Sequence, residues 1–168
     1  LSTAPGILAV VSFIKHDTPL NEKGITLILD DIKDPGNLGT MIRTAETFGV
    51  DKIVCSLETV DVYNEKVVQS SMGSIFRVSV EYVELSEYLS SIHKEAIYAS
   101  SLAGSSIYES QIQFPAYLIM GSESHGIRES IYPFAGHKIK VPQQGKVESM
   151  NVSIATAVIL AEFRRKLI

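Results

Sequence analysis

ITLILDDIKDPGNLGTMIRTAETFGVDKIVC, residues 25 to 55, carries the alternation that decides the fold. Ile25 to Leu29 is a short run rich in β-branched side chains and closed by turn formers, which predicts a buried strand. Asp30-Asp31 ends it, and Asp34-Pro35-Gly36 turns the chain into a helix that opens at Asn37 or Leu38. Asn37 is the expected N-cap. Leu38, Met41, Ile42, Ala45 and Phe48 recur at helical spacing and form one apolar stripe. Gly49 stops the helix, and Lys52 to Cys55 reads as the next strand. Thr40, Arg43, Thr44 and Thr47 point away from the stripe. Arg43 therefore projects from the face that does not pack on the sheet.

The same pattern continues outward. Ile7 to Phe13, Arg77 to Val83, Ala96 to Ser100, Ala116 to Met120 and Lys138 to Val141 are further expected strands, with helical patterns between many of them. Such alternation predicts an α/β fold with a mostly parallel sheet. The 168 residues make one domain, 1–168. Composition is 45% apolar and 20% charged, which excludes a disordered chain.

Several function classes fall away. Cys55 is the only cysteine, so neither a disulfide framework nor a cysteine zinc cage can form; it fits a reducing cytoplasm. His16, His93, His125 and His137 lack ligand spacing, so no metal is expected. The apolar run Ile7 to Val11 is far too short for a membrane span, and no basic segment precedes it. The first residue is Leu1, and the expectation is a piece of a longer protein. Net charge is −4, from 15 basic and 19 acidic residues. An unspecific nucleic-acid binder should be basic. RNA contact would need a local patch, such as Arg164-Arg165-Lys166, or a part outside this chain.

Two more clusters stand out. In LIMGSESHGIRES, Leu118 to Ser130, a strand runs into Gly121 and Gly126 with Glu123 between them. Glycines there let a backbone or a ligand come close. The segment faintly resembles a hydrolase elbow at Ser124, with His137 as base and Glu129 as acid, although Ser122 stands where the elbow wants glycine. In VPQQGKVESMNVSIATA, Val141 to Ala157, Ser149 or Asn151 caps a helix whose free N–H groups also suit a ligand. That helix, Asn151 to Lys166, is apolar on almost every side before Glu162. One side can meet the sheet and the other a second copy of the chain. Ala155, Ala157 and Ala161 permit close approach, and a charge at Ala157 or Leu160 is expected to break the homodimer.

Taken in order, DPGNLGTMIRTAETFG, LIMGSESHGI and VPQQGKVESMNVSIATAVILAEFRR resemble the three motifs of the SpoU/TrmH family of RNA ribose 2′-O-methyltransferases, in the SPOUT class. The resemblance covers essentially the whole chain. It departs at Gln143, where methionine is common, at Met150, where leucine is usual, and at Ser124-His125, where small residues are frequent. It implies a C-terminal trefoil knot, with Gly121 and Gly145 at tight crossings, and an N-terminal RNA-binding domain outside this chain. It implies S-adenosylmethionine as cofactor, near Ser100, Leu102, Gly121, Val141, Ser149 and Met150. It implies methyl transfer to a ribose 2′-hydroxyl of rRNA or tRNA by a homodimer. The catalytic set would be Arg43, Asn37, Glu123 and Asn151, with Arg43 completing the other subunit's site. Two other readings stay open: a non-catalytic RNA-binding module of the same fold, and the serine hydrolase.

Overall fold

The computed structural model describes residues 6, 10–12, 21–145 and 149–168. The expected strand at Ile7 to Phe13 lies mostly outside them; residues 10–12 form no regular element.

Among the described residues six strands make one sheet: β1 (Ile25–Asp30), β2 (Lys52–Ser56), β3 (Ser79–Val83), β4 (Ile97–Ser106), β5 (Ala116–Gly121) and β6 (His137–Lys140). Their order is β3-β2-β1-β5-β4-β6, and every pairing is parallel. The helices are α1 (Pro35–Thr47), α2 (Glu65–Ser70), α3 (Leu85–Ser90) and α4 (Val152–Arg165).

Period-two alternation sorts side chains to the two faces of the sheet. Ile25, Leu27 and Leu29 of β1 and Leu118 and Met120 of β5 join Leu38, Met41 and Ile42 of α1 and Ile159, Leu160 and Phe163 of α4 in one core. Ile28 and Ile119 point the other way, onto Leu85 and Leu89 of α3. Strands covered on both faces are apolar at nearly every position, which is why they read as continuous hydrophobic runs.

Some expectations shift. The N-cap of α1 is Asp34, not Asn37: its Oδ1 accepts the Asn37 backbone N–H at 2.8 Å, and the helix starts at Pro35. This leaves the Asn37 side chain for other work. β3 begins two residues late because the backbone N–H groups of Arg77 and Val78 both donate to the Ser74 carbonyl, closing a 3-10 turn before the strand. β4 ends six residues later than expected and carries an irregularity between Ser100 and Ser105 against β6.

Leu160 is fully buried in the core rather than facing outward. Ile154, 55% exposed, and Ala161 hold the outer face of α4. Glu162 is buried and hydrogen-bonded by Arg165. Of the two expected crossing glycines, Gly121 makes a close approach to the Gly126–Ile127 backbone, whereas a side chain at Gly145 would meet open space among the described residues. The expected knot turns on the path from β6 to α4, which includes residues 146–148, outside the described residues.

Candidate cofactor cleft and polar cluster

In an open parallel sheet, ligands bind beyond the carboxyl ends of the strands, where strand order departs from sequence order. Here β1 lies beside β5, and β5 and β6 end at one cleft of about 530 Å³ that β4 also borders. The irregular part of β4 brings Ser100 and Leu102 to it, β5 brings Gly121, and the chain after β6 brings Val141. Ser149 and Met150, just before α4, complete the lining. The six residues expected around a cofactor thus share one cleft. Met120, Val152 and Ala155 make part of the wall apolar.

The loop after β5 folds back on itself. Ser122 and Gly126 exchange backbone hydrogen bonds of 3.1 and 2.9 Å, and Gly126 adopts φ +70°. A side chain at Gly121 would collide with this returning backbone. The fold-back presents Glu123 to the first turn of α4, where the Val152 N–H donates to its carboxylate at 3.3 Å. A carboxylate is well placed at a helix N-terminus, beside unpaired N–H groups and the positive end of the dipole.

Asn151 joins three segments. Its Oδ1 caps α4, accepting from the backbone N–H groups of Ser153 at 3.0 Å and Ile154 at 3.3 Å. Its Nδ2 donates to Asn37 Oδ1 at 3.0 Å and to Glu123 Oε1 at 2.5 Å. Asn37, Glu123 and Asn151 therefore meet, although 86 residues separate the first two in sequence. Arg43 stands apart. It is exposed, and its guanidinium has no hydrogen bond or ion pair among the described residues. Six residues beyond Asn37 on one helix, it lies about 9 Å further along the axis and on another face.

The hydrolase constellation does not assemble. Ser124 Oγ lies 2.8 Å from Nδ1 of its neighbour His125, beyond the carboxyl end of β5. His137 opens β6 at the other end of the sheet, in register with Tyr98 and stacked on that ring at 4.8 Å. Among the described residues no group of three or more His, Cys, Asp and Glu could hold a metal, and no helix is long and apolar enough to cross a membrane.

A buried ion pair escaped the sequence reading. Asp30, fully buried at the end of β1, accepts from Arg128 Nε at 2.7 Å and from the Arg128 backbone N–H at 2.8 Å. Arg128 Nη1 reaches on to Glu58 Oε2 at 3.1 Å. An aspartate pair closing a strand was visible in sequence, but nothing marked a partner 98 positions away.

Parallel sheet, carboxyl-edge cleft and a polar cluster spanning three motifs define an α/β domain of the kind that the sequence motifs imply. Residues 24–161 match the SpoU rRNA Methylase family, and the chain belongs to it. It is 34% identical over 141 residues to the 23S rRNA (guanosine(2553)-2′-O)-methyltransferase RlmP of Bacillus subtilis (strain 168), a match covering 82% of this chain and 57% of that protein. It is 32% identical over 148 residues to the 23S rRNA (guanosine-2′-O-)-methyltransferase RlmB of Xanthomonas axonopodis pv. citri (strain 306), covering 86% of this chain and 59% of that one. The crystal structure of an AdoMet-bound rRNA methyltransferase from Sinorhizobium meliloti superposes with a TM-score of 0.82 at 33% identity, covering 88% of this chain and 58% of that chain. The chain thus spans under two thirds of the length of these relatives.

Proposed function

We propose that this chain is the catalytic domain of an RNA 2′-O-methyltransferase that uses S-adenosylmethionine and acts on rRNA or tRNA. The observation that carries the reading is the joining of Asn37, Glu123 and Asn151 at the edge of a cleft lined by Ser100, Leu102, Gly121, Val141, Ser149 and Met150. Family membership and the rRNA methyltransferases among its relatives support it.

The residues present suit the cofactor. Gly121 lets the loop after β5 pack close against the cleft where any side chain would collide with backbone, and the partly apolar wall suits an adenine ring and an aliphatic chain. Those six residues would hold the cofactor, which supplies a sulfonium methyl group when bound. The chain's task is to present a ribose hydroxyl in line and to manage its charge. A guanidinium does not ordinarily give up its proton in a protein. Arg43 therefore steadies the developing alkoxide and grips the adjoining phosphate through its fork of donors. Asn37, Glu123 and Asn151 set the geometry of the cleft's edge, a contribution worth several kcal/mol in well-oriented reactions.

Arg43 lies outside the polar cluster of its own subunit, which supports a site completed by a second copy. The apolar outer face of α4, with Ile154 exposed, is the surface proposed to bind that copy. A cytoplasmic location fits the free, buried Cys55. Calorimetry with S-adenosylhomocysteine tests the reading: saturable binding, unchanged by chelator, is expected. No binding, or tight NAD binding instead, would overturn it.

A further inference from the structure

We infer that Arg128 is a positioning residue for this site, its ion pair with Asp30 setting the loop that carries Glu123 against the segment that launches Asn37. The inference rests on the function proposed above for its catalytic consequence, and on geometry alone for the positioning itself.

Asp30 ends β1 and lies seven residues before Asn37; Arg128 follows Glu123 by five. Both Asp30 carboxylate oxygens are engaged, Oδ1 by the side-chain Nε and Oδ2 by the backbone N–H. One bond alone would leave a hinge. Two, one of them to the main chain, fix the loop's height and its rotation relative to β1. Arg128 Nη1 extends the tie to Glu58, beyond β2, so one side chain bridges the carboxyl edge from β5 across β1 to β2. Beyond these anchors, Asn151 joins the two segments again, contacting Asn37 and Glu123 together.

Stability is a poor explanation for the pair. Burying a carboxylate is costly, and well-packed apolar residues often replace a buried ion pair without loss of stability. This pair is also incompletely satisfied: Arg128 Nη2 is buried with no hydrogen-bond partner among the described residues. Such a donor weakens the pair as a stabiliser. What a planar fork provides that an apolar pair does not is a fixed direction.

The test compares wild type, Arg128→Lys, and the charge-free double variant Asp30→Leu with Arg128→Met. Thermal unfolding, S-adenosylhomocysteine calorimetry, kcat and KM for methylation, and the NMR signal of the Asn151 side-chain amide are measured on each. The double variant is expected to hold its Tm while cofactor-product affinity or kcat falls roughly tenfold to a hundredfold, the effect of about 1 Å of misplacement. The Asn151 amide signal is expected to move in both variants without ligand, while backbone signals of β3 stay in place. If the double variant does not fold, Arg128→Lys decides, since it keeps the charge and loses the fork. An unmoved Asn151 signal with wild-type affinity and kcat overturns the inference. A wild type that binds no S-adenosylhomocysteine overturns the proposed function alone, and the Asn151 signal still decides whether Arg128 positions the cluster.

Discussion

Gly121→Ala adds one methyl group where the structure has no room for it. The new Cβ would fall far inside contact distance of the Gly126 carbonyl group and the Ile127 nitrogen. Both are backbone atoms, so no rotamer change relieves the clash. The returning strand must retreat by about 1 Å before contact becomes ordinary. That retreat stretches the two bonds between Ser122 and Gly126. Overpacking costs about 1–3 kcal/mol, and each weakened bond adds up to about 1 kcal/mol. A loss of about 2–4 kcal/mol lowers the Tm of a chain this long by roughly 5–15 °C. Glu123 rides on the same loop, so its 2.5 Å bond to Asn151 is expected to break and binding of S-adenosylhomocysteine to weaken by roughly a hundredfold. Differential scanning calorimetry gives the first quantity and titration calorimetry the second. A Tm within about 2 °C of wild type, the size of effect of an ordinary surface substitution, together with unchanged affinity would show that this loop is not packed as described.

Arg43→Ala is expected to abolish methyl transfer from labelled S-adenosylmethionine while Tm and cofactor affinity hold, because the side chain is exposed; Arg43→Lys should fail as well, since it lacks the fork. Near-normal turnover in either variant would remove the assigned role. Ile154→Glu, on the exposed face of α4, should shift sedimentation from dimer to monomer without unfolding the chain, whereas Leu160→Glu should unfold it because that residue lies in the core. A wild type that sediments as a monomer at micromolar concentration refutes the dimer. Burial pushes the Cys55 thiol up to about 12. The unfolded chain loses that proton near pH 9 while the native chain keeps it, so stability should fall as pH climbs between those values, and Cys55→Ala should flatten the slope. Native Cys55 should also resist iodoacetamide until the chain unfolds. Glu162 runs the other way. Its hydrogen bond from Arg165 lowers its pKa from the ordinary 4.5, so its contribution is full above that value and is lost as pH falls through the depressed one. Urea midpoints for Glu162→Gln against wild type should converge in acid.

Much of the fold was legible because buried strands and an amphipathic helix write their periods into neighbouring residues. Ile25 to Leu29 and the stripe from Leu38 to Phe48 needed nothing from elsewhere in the chain. The cap of α1 was misread by three positions because Asp34 and Asn37 both have capping side chains, and only the helix's true start at Pro35 chooses between them. The irregular stretch of β4 was invisible because Ser101 to Ser106 carries no apolar alternation; it is held by β6 across the sheet. Sequence places Leu160 at the dimer face because a helix apolar all round gives no phase, and only packing against the sheet and α1 supplies one. The site residues were reachable through resemblance to a family. That Asn37 and Glu123 meet through Asn151 was not, because the contact depends on how three distant segments are brought together.

The side-chain amide of Asn151 has consequences beyond geometry. Its oxygen starts α4 and its nitrogen gathers Asn37 and Glu123. The two ends of a planar amide cannot be turned independently, so a chain that has begun this helix correctly has already aimed its nitrogen at the cleft. Folding of the last helix and readiness of the site become a single event, and a half-built protein has no prepared pocket to offer. The same linkage limits the engineer. Replacing Asn151 by serine or aspartate, both good caps, could keep the helix and still remove the donor that gathers the cluster. A screen that scores only thermal stability would pass such variants, and only a binding measurement would reveal what they had given up.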